Sequence, residues 1–171
     1  MGASGSYECA TCGGEHPGPP LSYRVPAPVS YLVIPEDERA LRCELSSDQC
    51  VVDGEHFFVA GNVRIPILGS EETFSWTAWA SLSRDNFIRA TDLWHTVGRE
   101  SEPPYFGWLS SELPGYPSTL NLKTKVITQP AGTRPEIELE PTDHPLAVEQ
   151  RLGITRNRVI ELATIVLHGA V

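Results

Sequence analysis

The stretch Cys50-Val51-Val52-Asp53-Gly54-Glu55-His56-Phe57-Phe58-Val59, with Phe74-Ser75-Trp76-Thr77-Ala78-Trp79-Ala80-Ser81-Leu82 after it, decides the fold class. Asp53-Gly54 between two apolar runs is a hairpin signal, because a tight turn of that kind needs positive φ at both central residues. In the second segment Phe74, Trp76, Ala78, Ala80 and Leu82 recur at every other position, the period of a strand with one buried face. Gly61-Asn62 reads as a further turn, so that 63–68 forms a third strand and 74–82 a fourth. The result is an antiparallel meander.

Downstream, Ser83 is a suitable N-cap for a helix over 84–97, with Phe87, Ala90, Trp94 and Val97 on one stripe and Gly98 ending it. Residues 99–119 read as a loop rich in Pro and Gly that carries Tyr105, Phe106, Trp108 and Tyr116, either roofing the sheet or forming a rigid recognition surface. Strands follow over 120–128 and 136–140. The last third is helical, from Pro145 to about Arg151 and then over 156–168 behind the cap residue Thr155. Upstream, Pro35 followed by Glu36, Asp37 and Glu38 suits a helix start. Residues 7–29 hold no helical period and five prolines, and read as an irregular module. The fold class expected is α+β: an antiparallel sheet of about five or six strands packed by helices, with an irregular Cys-containing N-terminal module. Residues 1–6 are expected to be flexible and 7–171 to form one domain, with 7–29 a zinc-knuckle candidate and 145–168 the C-terminal helices. Met1-Gly2-Ala3-Ser4-Gly5-Ser6 also fits the loose N-myristoylation pattern, against the simpler reading of an unmodified terminus.

The sharpest local signal is Cys9-Ala10-Thr11-Cys12-Gly13-Gly14-Glu15-His16. A two-residue gap lets two thiolates grip one ion, and His16 is near enough to be a third ligand. With no second Cys-x-x-Cys, the fourth ligand must come from afar. Cys50 is the first choice, with Cys43 and His56 in reserve. The ion expected is zinc, in a structural role. Free or buried thiols, or a redox pair, are the alternatives, though no strand–helix unit of the thioredoxin kind frames the motif.

A second pattern lies in the tail, where Val148, Leu152, Ile154, Val159 and Leu162 sit as the apolar contacts of a helix-turn-helix, with Gly153 at the turn. Arg156 and Arg158 would then open a recognition helix. Glu149 stands where such motifs need a small residue, which favours two core-packing helices. Asp143-His144 with Arg134, or with His56, is the only polar constellation offered to an enzyme, and a helix cap beside His144 is the simpler reading. No catalytic triad, phosphate-cradling Gly loop or dinucleotide fingerprint occurs.

Composition narrows the classes. At 171 residues the chain can bury a core without disulfides. Its net charge of -9, from 13 basic and 22 acidic residues, argues against a broad phosphate-binding face and a polybasic membrane patch. No apolar run reaches the ~20 residues of a membrane span, and no secretory leader precedes Cys9. The expected setting is the cytoplasm, where the four cysteines stay reduced.

Taken together, several motifs resemble the uncharacterised bacterial domain-of-unknown-function family 2199, from Cys9 to Leu162. They are Cys9-x-x-Cys12-Gly13 with His16, Asp48-Gln49-Cys50-Val51-Val52-Asp53-Gly54-Glu55-His56-Phe57-Phe58, and Trp76-x-x-Trp79-x-Ser81-Leu82-Ser83. Pro103-Pro104-Tyr105-Phe106-Gly107-Trp108-Leu109, Leu113-Pro114-Gly115-Tyr116-Pro117 and Arg134-Pro135 continue the match, and the run from Glu140 to Gln150 closes it. Thr77 stands where the family usually has Gly, and Ala60 where an Arg is expected. The resemblance implies a bacterial cytosolic setting and one integrated domain, and no activity. The function expected is that of a non-enzymatic binding or regulatory protein with a protein partner, a basic one such as a toxin if the acidic surface is what it meets. A helix-turn-helix regulator and an enzyme with a site around His144 are the alternatives.

Overall fold

A computed structural model describes residues 5–169 of the chain. Residues 1–4, with most of the expected flexible terminus and the lipidation pattern, lie outside the described residues. A small hairpin comes first, β1 (Tyr7–Glu8) against β2 (Glu15–His16), and then β3 (Ser22–Arg24). Two short helices, α1 (Val29–Leu32) and α2 (Glu36–Arg42), lead to β4 (Cys43–Leu45), β5 (Gln49–Val52), β6 (His56–Pro66) and β7 (Thr73–Leu82). Helix α3 (Arg84–Asp92) and a single 3-10 turn (Arg99–Ser101) precede β8 (Tyr105–Leu109), β9 (Lys123–Ile127) and β10 (Glu136–Leu139). The chain ends in α4 (Pro145–Leu152) and α5 (Arg156–His168).

The main sheet has eight strands in the order β3-β7-β8-β9-β10-β6-β5-β4, and β7 also pairs with β6. That extra pairing closes β6, β7, β8, β9 and β10 into a five-stranded barrel, where a simple antiparallel sheet of five or six strands was expected. Four of the five contacts are antiparallel. Five strands running alternately up and down cannot close without one parallel contact, and β10 against β6 is that contact. The long strands β6 and β7 serve both the barrel and its extension. β6 pairs with β5 through its first half and with β10 at Asn62, while β7 pairs with β8 at Ala80 and Ser81 and with β3 at its other end.

Asp53 (φ 53) and Gly54 (φ 64) make the turn between β5 and β6, as their chemistry requires. Gly61-Asn62 is no turn: β6 runs straight through it. The strand alternates, so Val59, Val63 and Ile65 enter the main core while Phe58 and Ala60 face a second cluster. In β7 the five residues Phe74, Trp76, Ala78, Ala80 and Leu82 share the main core as the alternation predicts. Trp79 points the opposite way, against Ile34, Cys50, Val52, Phe58 and Ala60, and its indole donates to Val25 O at 2.9 Å. The Ala60 position therefore lies in an apolar cluster, and Thr77 donates across the sheet to Asn62 at 2.8 Å.

The region 99–119 is not all loop. Tyr105, Gly107 and Leu109 face inward and Phe106 and Trp108 outward, the pattern of a barrel strand. Helix α3 stops at Asp92 rather than Val97. The buried Arg99 guanidinium takes Trp94 O, Gln129 O, Pro130 O and Thr133 O, so the chain after α3 turns inward to meet it, and Val97 is left exposed. Gly98 is left-handed (φ 84), as expected, but it caps the 3-10 turn. Pro35 is the cap of α2 rather than its first residue. At the C-terminus, Leu146, Ala147, Ile154, Val159 and Leu162 join the main core, and Thr155 caps α5 by accepting from Arg158 N. Truncating the fully buried Leu162 to Ala should cost about 2–5 kcal/mol.

Candidate metal centre

The β1–β2 hairpin brings the Cys-x-x-Cys loop into a knuckle. Gly13, at φ 66, donates its N–H to Cys9 O at 2.8 Å, and Cys9 N donates to Gly14 O at 2.9 Å. The Cys12 amide, and less strongly that of Thr11, donate to the Cys9 sulfur and hold its thiol below the ordinary value, while burial works in the other direction. A thiolate favoured in this way is the form that binds metal. Tyr7 stacks beside His16 with ring centroids 5.6 Å apart.

Cys9, Cys12, His16 and His168 each place a ligand atom within 4.8 Å of all the others. Cys12 Sγ lies 3.3 Å from His16 Nε2, and the His16 and His168 rings are 6.1 Å apart at 63°. An ion with bonds of roughly 2.3 Å to sulfur and 2.0–2.1 Å to nitrogen, at tetrahedral angles, separates its ligands by about 3.5 Å. The four groups therefore lie close enough to hold one metal ion with small side-chain adjustment. Cys9 is buried and His16 half-buried, while Cys12 and His168 reach the surface. His168 sits in the last turn of α5, a 13-residue helix whose C-terminal carbonyls favour a cation.

Three of the four residues singled out in the sequence, Cys9, Cys12 and His16, come together, and Cys50 does not join them. Cys50 is fully buried in β5, in register with Phe58 of β6 and Leu45 of β4, within the apolar cluster around Trp79. Burial, with Cys43 nearby, pushes its thiol up to about 12. Cys43 pairs with Val52 in β4, burial raises its thiol as well, and His56 starts β6 on the exposed side. The partner the sequence did not offer is His168. It lies 152 positions from His16, and only the packing of α5 against the N-terminal module brings it near.

The other polar candidates have local duties. His144 caps α4: its Nδ1 accepts from Leu146 N at 3.1 Å and its Nε2 donates to Ser118 O at 3.1 Å. Arg134 pairs with Asp48 at 2.6 Å. Arg158 donates to Glu149 at 2.8 Å, to Gly115 O at 2.9 Å and to Glu161 at 3.0 Å, and lies over the Tyr116 ring. Arg156 reaches Glu72 at 3.5 Å. No helix among the described residues is long and apolar enough to cross a membrane.

No curated protein and no solved structure matches the chain. A family model described as "Uncharacterized protein conserved in bacteria" matches residues 8–154, a span that holds Cys9, Cys12 and His16 and stops short of His168. The chain belongs to that family, domain of unknown function 2199.

Proposed function

We propose that the protein is a non-enzymatic binding protein of the bacterial cytosol, whose N-terminal hairpin is fastened to α5 by one structural zinc ion held by Cys9, Cys12, His16 and His168. The observation that carries this reading is the convergence of those four ligand atoms within 4.8 Å. Two thiolates and two neutral imidazoles around Zn²⁺ give a complex without net charge, which suits a site with one buried ligand. Four protein ligands leave no open position for water or substrate, the mark of a staple rather than a catalyst. Support for binding over catalysis comes from His144, Arg134 and Arg158, whose polar atoms are committed to a cap, an ion pair and an interhelical network.

Elemental analysis of protein purified reduced and without chelator should find about one zinc per chain, and chelation should lower the melting temperature. Metal-free protein with an unchanged melting curve would remove the zinc. Tagged protein cross-linked in its bacterial host should carry a partner protein in fixed ratio. Recovery of the bare chain alone would remove the binding role.

A further inference from the structure

The chain contains two lysines, Lys123 and Lys125, and both lie on one outer face of the barrel. In register with them on β8 stand Phe106, opposite Lys125, and Trp108, opposite Lys123. These are the only Phe and Trp side chains exposed among the described residues, at 52% and 41%. Their rings meet edge to face, 5.1 Å apart at 86°. Among the described residues neither lysine ammonium has a carboxylate within salt-bridge reach, whereas eight ion pairs engage six of the arginines. A depression of about 350 Å³ runs beside Phe106 across Lys123 and Lys125 to Glu138 and Glu140.

Outer faces of antiparallel strands normally carry polar residues. Lys123 and Lys125 fit that rule, whereas the two large rings beside them do not, and these two cations stand on a chain whose net charge is -9. We propose that this face of β8 and β9 docks an acidic, apolar-anchored peptide segment of a protein partner. The inference rests on the binding-protein reading above and supplies its surface. The rings are the apolar anchors, and aromatic residues dominate binding energy where they become fully desolvated. The lysines supply the charge complement, which sets orientation and partner choice. Both strands are hydrogen-bonded on each side within the barrel, so the segment must bind through side chains and not as an added strand. Aromatic rings beside cations also suit single-stranded nucleic acid, but a phosphate backbone needs a continuous cationic track. Here the next strand presents Glu138, in register with Lys125, with Glu140 following. An acidic peptide carries charge only at some positions and can set apolar side chains beside Glu138 and Glu140, whereas every link of a phosphodiester is charged.

The test is fluorescence anisotropy with a labelled peptide alternating Glu with Leu and Phe, beside the same peptide with Lys for Glu and an oligothymidylate of equal length. Saturable binding of the acidic peptide alone is expected, weakening with salt, and falling about tenfold or more in Trp108→Ala and in Lys123→Glu/Lys125→Glu. The charge-reversal variant alters exposed positions only, so its circular dichroism and zinc content should match the parent. No binding of the acidic peptide, equal binding by both variants, or preference for the oligothymidylate would each overturn the proposal. So would a dimer in sedimentation that both variants dissolve, since the face would then be occupied by a second copy. If the host partner still cross-links to both variants, the binding role stands and only this location fails.

Discussion

Gly61 in β6 lies directly against Ile137 in β10: a Cβ placed on it would come 2.8 Å from Ile137 Cγ1 and 2.9 Å from Pro135 O. This is the seam where the barrel closes by its one parallel contact, with Asn62 N donating to Pro135 O at 2.9 Å. The glycine is there for close approach and not for a turn. Gly61→Ala should force the seam apart and cost about 1–3 kcal/mol, the usual range for overpacking. Urea denaturation measures it, and a melting point within error of the parent would show that the seam has slack.

Glu149 and Arg158 tie α4 to α5 with their side chains about four-fifths buried. Tyr116 donates to the second carboxylate oxygen at 2.6 Å, so one carboxylate anchors the long 110–119 connection as well. Removing the carboxylate leaves the phenol and the guanidinium short of an acceptor. A double-mutant cycle on Glu149→Ala and Arg158→Ala should return a coupling of about 0.5–3 kcal/mol. Simple additivity would mean that Glu161 and Gly115 O satisfy Arg158 by themselves.

The pH profile should carry the mark of a second network. Arg89 donates to both oxygens of Glu102, at 2.6 and 2.5 Å, and Tyr105 adds a bond at 2.6 Å. The guanidinium first, and the phenol second, hold the Glu102 carboxyl down to about 2. The unfolded chain takes up that proton near pH ~4.3, so the stabilisation is present above that pH and is lost as pH falls towards 2. Tyr105 runs the other way. Burial, then the bond to Glu102, raises it to about 12, so its contribution is present below pH ~10 and is lost as pH rises towards 12. Glu102→Gln should flatten the acid limb and leave most of the alkaline limb, because burial of Tyr105 persists. Identical acid limbs in chemical denaturation across pH would refute this account.

Legibility in the sequence followed range. The Asp53-Gly54 turn, the alternating face of β7, the Ser83 and Thr155 caps and both C-terminal helices were readable because each depends on neighbours within a few residues. Strand β8 was hidden because Pro103-Pro104 before it and Gly107 within it are loop chemistry. Only the pairing of Gly107 with Thr124, and of Trp108 with both Lys123 and Ser81, shows them to be strand residues. Barrel closure was hidden in the same way, since Gly61-Asn62 carries the local signature of a turn and only Ile137 reveals its purpose. At the candidate site the Cys9–Cys12–His16 spacing is local and was legible. Its fourth member depends on where the far end of the chain packs. Among the remaining cysteines and histidines, Cys50 is the sequence's first choice because it opens the first strand of the hairpin, and its register places it in an apolar cluster instead.

That difference between Cys50 and His168 can be measured. With zinc bound, Cys9 and Cys12 should resist alkylation at mildly alkaline pH. After chelation both should label, while Cys50 stays unmodified because burial holds its thiol near 12. His168→Ala should keep three ligands and lose about 10–100-fold or more in zinc affinity, since losing a direct ligand should cost at least what losing an outer-shell partner does. The barrel should survive, because the His168 ring is exposed and takes no part in the core. Cys50→Ala should leave one zinc per chain and lower stability only through the small cavity it opens beside Trp79. If zinc instead protects Cys50 from alkylation, or Cys50→Ala empties the site while His168→Ala does not, the ion is held by the β5 thiol, and the hairpin is fastened to the sheet rather than to α5.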